Sequence, residues 1–169
     1  MPLNNKQKGN AFERKIASEL SQWMFNDPKV LKRHFTSGAT DKDVYGGDII
    51  PFKQLYSFGW KEWPFLVEVK DGYDQFSPTF FTYTKIEEWL IKSVKEMENY
   101  HNQNYVILIP RFTHKRTLFF INEKFKVNVI KPELIVPIYI DVEEIYFYQY
   151  DFKKLKKIPF NDVWEISVV

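Results

Sequence analysis

The chain has 169 residues, no cysteine, 44% hydrophobic and 18% aromatic residues, and a formal net charge of +2. That composition excludes a disordered chain, a disulfide scaffold, a thiol nucleophile and Cys-ligated zinc, and bulk charge does not announce a nucleic-acid binder. The opening residues lack a signal peptide's apolar core, and no run nears the roughly 20 apolar residues that span a bilayer, so one soluble, intracellular domain with no membrane contact is expected.

The first predicted element is a helix over about Gly9–Met24, where Phe12, Ile16, Ala17, Leu20, Trp23 and Met24 recur at helical spacing. Glu13 falls inside that apolar stripe, whereas Arg14, Ser18, Ser21 and Gln22 face away. A carboxylate there is costly unless something pairs with it. A polar stretch, TSGATDKDVYGGD, follows, flanked by short strands near LKRHF and DIIPF. FLVEVK has strong β-propensity. After a loop rich in Phe and Tyr, a second amphipathic helix is expected from about Thr84 to Tyr100, with Ile86, Trp89, Leu90, Met97 and Tyr100 inward. NYVILIP reads as a strand covered on both faces. The order α-β-β-β-α-β predicts an α/β sandwich on a mixed sheet flanked by helices. RTLFFINEKF, IVPIYIDV and EIYFYQYDF then read as strands or aromatic-burying loops, a β-rich C-terminal extension over about 111–169. EIYFYQYDF suits either a dimer surface or a buried edge strand.

Side chains alternate across a strand, so Glu68 and Lys70 emerge on one face and Val67 and Val69 on the other. A structural ion pair explains this, and so does a metal site. Asp48 opens the preceding strand after two glycines, and a hairpin-like connection would set it beside Glu68. Glu13, pointing inward from the first helix, would complete the cluster. Three carboxylates repel unless a cation joins them, and Mg²⁺ prefers hard oxygen ligands. Lys70 among carboxylates should stay protonated, ready to orient water or stabilise transition-state charge. This assembly fits phosphodiester hydrolysis.

These residues carry a resemblance. GGDII…VEVK with the upstream helix GNAFERKIASEL resembles the PD-(D/E)XK nuclease superfamily. KGNAFERKIASEL is similar to the opening helix of archaeal-type Holliday junction resolvases, and the helix with Trp89 followed by NYVILIPRF to phage-encoded members. The resemblance spans roughly Lys8–Pro110 and implies a restriction-endonuclease-like core. It implies that Asp48 and Glu68 ligate metal, that Lys70 is the catalytic lysine and that Glu13 is the helix-borne acid. Ser37 sits where the resolvases carry a serine-bearing loop. Mg²⁺ is the implied cofactor, with Mn²⁺ substituting. The implied partner is branched DNA such as a four-way junction, cut by a homodimer, in the host cytoplasm for a phage-encoded enzyme. The sequence departs from the family pattern at Gly47, which replaces proline, in the long aromatic gap from Asp48 to Glu68, and beyond Pro110.

Other features read two ways. Lys8, Arg33, Arg111, Lys115 and Arg116 belong to basic clusters that would grip phosphates, or merely keep the chain soluble. Asp41 and Asp43 are alternative ligands on a loop. His34, His101 and His114 lack metal-ligand spacing, and YHNQN lacks the context of an HNH nuclease. Tyr73, Phe76, Phe80, Phe81 and Tyr83 would anchor a loop or stack on unpaired bases. No glycine-rich phosphate loop points to ATP. A restriction-like or repair endonuclease, and a non-catalytic DNA-binding module with the same fold, are the competing readings.

Overall fold

The computed structural model describes residues 5–34, 45–71, 80–112, 116–123, 125 and 129–164, with the side chains of 5, 6 and 80–83 outside that set. Helix α1 (Asn5–Phe25) begins one turn earlier than the apolar periodicity alone predicts. It buries Phe12, Ile16, Ala17, Leu20 and Met24. Asn26 ends it at φ 55°, its N–H donating to Gln22 O at 3.0 Å, the left-handed closure that asparagine tolerates. Strands β1 (Leu31–Arg33) and β2 (Ile49–Pro51) then pair antiparallel as a separate ribbon.

The main sheet holds five strands, β3 (Phe65–Asp71), β4 (Tyr105–Arg111), β5 (Leu118–Ile121), β6 (Leu134–Ile140) and β7 (Glu143–Asp151), in the order β3-β4-β5-β7-β6. β3 and β4 are parallel because α2 (Phe80–Met97) carries the chain back between them, and every other pairing is antiparallel. This is a mixed sheet flanked by helices, as the sequence predicts. On one face α1 packs with Phe65, Val67, Val69, Ile107 and Ile109; on the other α2 packs with Val106, Leu108, Phe120 and Phe147. The short helices α3 (Phe152–Leu155) and α4 (Phe160–Val163) close the first core, where the Trp23 indole donates to Ile158 O at 2.7 Å.

Two expectations are corrected. The chain before β2 does not meet β3 through a hairpin: Gly47 bridges Val67 in a parallel sense. The connection is too long for a tight turn, and parallel neighbours require a crossover of about a dozen residues. Its aromatics drive that route inward. Trp60 and Trp63 are buried and pack around Phe25, Phe65 and Phe160, and the 3-10 turn Leu55–Phe58 buries Leu55. Nor is β7 an edge strand; it lies between β5 and β6, and β6 forms the border with Pro137 at its centre. A proline fits there because it has no N–H to offer an outer neighbour. Among the described residues no helix is long and apolar enough to cross a membrane.

Candidate active site

The site begins with the twin glycines. Gly47 sits at φ 85°, and a Cβ there would meet Val67 O at 2.7 Å and Val67 N at 2.9 Å. At Gly46 a Cβ would strike the Tyr100 ring at 2.4 Å. The first glycine thus admits a ring, and the second lets two backbones touch. Gln103, buried at 3% exposure, fastens the segment: Gly46 N–H donates to its Oε1 at 2.9 Å, and its Nε2 donates to Phe65 O at 2.7 Å. Gly47 N–H donates to Glu96 Oε1 at 3.2 Å, and buried His34 brings Nδ1 within 3.0 Å of Gly47 O.

This scaffold fixes Asp48 against β3. Its N–H donates to Val67 O at 2.7 Å, its O accepts from His34 N–H at 2.7 Å, and its Oδ2 accepts from Val69 N–H at 2.8 Å. Asp48 is therefore locked at both backbone and side chain beside the strand bearing Glu68 and Lys70. Glu68 is 6% exposed, and the Lys70 ammonium donates to its Oε1. Glu68 lies in register with Leu108, so both project to the face that α2 covers. Burial, and then the Glu68 charge, push the Asp48 carboxyl up to about 7, against the pull of the Val69 N–H and Lys70; Glu13 pushes in the same direction.

Glu13 answers the sequence's first anomaly differently from expectation. It comes from α1, on the opposite face of the sheet, and Arg33 Nε donates to its Oε2. The half-buried carboxylate is thus paired, and its field still reaches Asp48. Among the described residues no group of three or more His, Asp or Glu side chains gathers to hold an ion. The donor set near β3 is the Asp48 and Glu68 pair. A hard cation fits it, because burial and the Glu68 charge disfavour an ionised Asp48, and a bound cation would offset both.

The expected basic contacts are placed as follows. Lys8 is exposed on α1. Arg33 is engaged by Glu13. Arg111 grips Asp71 through two hydrogen bonds of 2.8 Å and stacks 4.0 Å above Phe12. Arg116 lies 2.6 Å from Glu133 and 3.6 Å from Asp151. Ser37, Lys115, Asp41, Asp43, His114, Tyr73 and Phe76 lie outside the described residues, as do the side chains of Phe80, Phe81 and Tyr83. Sequence reasoning missed Gln103 and read Glu96 and Tyr100 as ordinary helix packing. A glutamine in a polar turn has no periodicity to betray it. The one available signal was the pair of adjacent glycines, which demands something close on each side.

A mixed sheet with a locked aspartate beside a Glu-x-Lys strand, behind a helix with an inward glutamate, defines the PD-(D/E)XK class of nuclease. Residues 4–165 match a family model described as "Phage putative PDDEXK endonuclease". The chain belongs to this phage PDDEXK endonuclease family, and it is a nuclease acting on DNA. No curated protein and no solved structure is detectably similar to it.

Proposed function

We propose that the chain is a divalent-metal-dependent endodeoxyribonuclease whose preferred substrate is branched DNA such as a four-way junction. The observation carrying the catalytic part is the backbone-locked Asp48 beside the Glu68–Lys70 pair. Asp48 and Glu68 would hold Mg²⁺, or Mn²⁺ in its place, and the ion would supply Lewis-acid activation of water and of a phosphoryl oxygen. Lys70, kept cationic by the acids around it, orients the nucleophile and offsets charge that grows on the phosphoryl oxygens. Glu13 tunes Asp48 from the far face through its field. Lys8, Arg33, Arg111, Lys115 and Arg116 supply phosphate contacts, joined by Ser37. Contacts of this kind select shape rather than sequence. The junction preference rests on the likeness of the α1 segment to the resolvases. A symmetric dimer with one site per subunit, each subunit one nuclease domain, would cut paired strands.

The test is cleavage of a four-way junction, linear duplex and single strand, in Mg²⁺ or EDTA, beside Asp48→Asn. Metal-dependent, paired nicks confined to the junction and lost in the variant support the full reading. Equal cutting of linear duplex leaves the nuclease and removes the resolvase. Tight binding without cutting in either metal would leave only a binding module.

A further inference from the structure

The β1–β2 ribbon has an inner and an outer face. Leu31 and Ile49 are buried against α1, and Arg33, on the same side, reaches Glu13. Period-two alternation within β2 sends Ile50 to the other side, and Lys32, directly opposite, joins it; Asp48 precedes the strand and Phe52 follows it. The placement is corroborated independently, because Lys32 Nζ lies 5.0 Å from the Phe52 ring centre. Phe52 is 67% exposed, yet its backbone is tied, its N–H donating to Val30 O at 2.8 Å. At roughly 3.3 Å per residue, the Phe52 Cα lies no more than about 13 Å from that of Asp48. The short strand β2 is therefore flanked by a candidate metal ligand before it and an exposed ring after it, with an apolar residue and a cation opposite at its centre.

We infer that Lys32, Ile50 and Phe52 form a track for the DNA strand flanking the cut, with an unpaired base stacked on Phe52. The exposed Phe52 ring with the Lys32 ammonium 5.0 Å from its centre suits a nucleic-acid strand, since a base offers a π-face of any sequence and a cation suits a polyanion. The track reads unpaired nucleotides near the scissile bond, so it contributes to substrate choice and not to bond breaking. The inference rests on the nuclease reading of Asp48 and names what the same site recognises beside the cut.

The experiment uses a blunt duplex and the same duplex with an unpaired flap carrying 2-aminopurine. Binding is titrated in EDTA with wild type, Phe52→Ala, Phe52→Trp and Lys32→Ala, and cleavage is followed separately in Mg²⁺ and Mn²⁺. Phe52→Ala is expected to lose about ten-fold in affinity for the flap and nothing for blunt duplex, with Phe52→Trp retaining it. Lys32→Ala should weaken flap binding and flatten its salt dependence. Wild type should quench 2-aminopurine on binding. Absence of quenching in wild type overturns the inference whatever the variants do, as does an equal loss on both substrates, which would mark a wedge or a general backbone contact. Wild type that cuts DNA while Phe52→Ala keeps full flap affinity sinks the track alone; wild type that neither binds nor cuts any DNA sinks the nuclease reading with it.

Discussion

At the scale of single residues, the site is an argument about charge. Lys70 donates to the Glu68 carboxylate, so replacing it with the similarly long, neutral Met removes charge and leaves shape. Lys70→Met is expected to lower the cleavage rate by about 100-fold or more while DNA binding in EDTA changes little; a variant that cuts normally would remove Lys70 from the reaction. Asp48 carries the pH dependence. Its carboxyl is pushed from 3.8 up to about 7 by burial and by Glu68. The folded protein therefore holds a proton that the unfolded chain has released. That contribution is fully present below the unfolded value and is lost as pH rises through about 7. Metal-free protein should thus melt lower at about pH 8 than at about pH 5, and Mg²⁺ should raise the melting temperature mainly at the higher pH. Asp48→Asn should flatten that difference in a thermal scan, and an unchanged slope would assign it elsewhere.

Glu68, Lys70 and Glu13 were legible because each breaks a pattern: two charges in an apolar strand, and one acid in a helical stripe. Partners were less legible. Nothing local to Arg33 announces Glu13, since the pair joins a helix to a ribbon far along the chain. A cage of three acids is a natural expectation from residue types alone; among the described residues no three such side chains gather, and Glu13 is paired with Arg33.

At the scale of elements, the segment Gly46–Asp48 is held by groups from α2's end, the following turn, His34 just past β1, and β3. Its direction could not be read in advance, because a connection's length permits a crossover without requiring one, and only the burial of Trp60 and Trp63 decides it. Gln103→Leu leaves the Gly46 N–H and the Phe65 carbonyl without their partner inside the protein. Urea titration should show a loss of about 2–3 kcal/mol. Gly47→Ala forces a side chain into left-handed backbone and into contact with Val67, so about 2–3 kcal/mol and most cleavage should go together. If Gly47→Ala keeps wild-type melting and activity, the glycine is not what brings Asp48 to β3.

For the whole molecule, the sheet does not respect the division at Pro110 that the sequence likeness invites. β5 pairs with β4 on one side and β7 on the other, and Phe119, Phe120, Ile121, Phe147 and Tyr150 fill both cores. The later strands were visible as alternating aromatic runs, but their order was not, since a strand's neighbours are chosen by faces and connections far apart in the chain. A fragment of residues 1–112 would expose β4's edge and lack about a third of each core. It should lack near-UV circular dichroism and dispersed amide signals; a folded fragment would show the later strands to be an appendage after all.

Pro137 has one more effect. With an imide where a donor should be, the outer border of β6 presents a broken row to any incoming strand. Two subunits meeting here would be unable to knit their sheets into one continuous blade, so association must go through side chains on a broad surface. Pro137→Val would restore the missing donor, and light scattering should then register growth into ragged, strand-stitched aggregates that the native sequence is built to refuse.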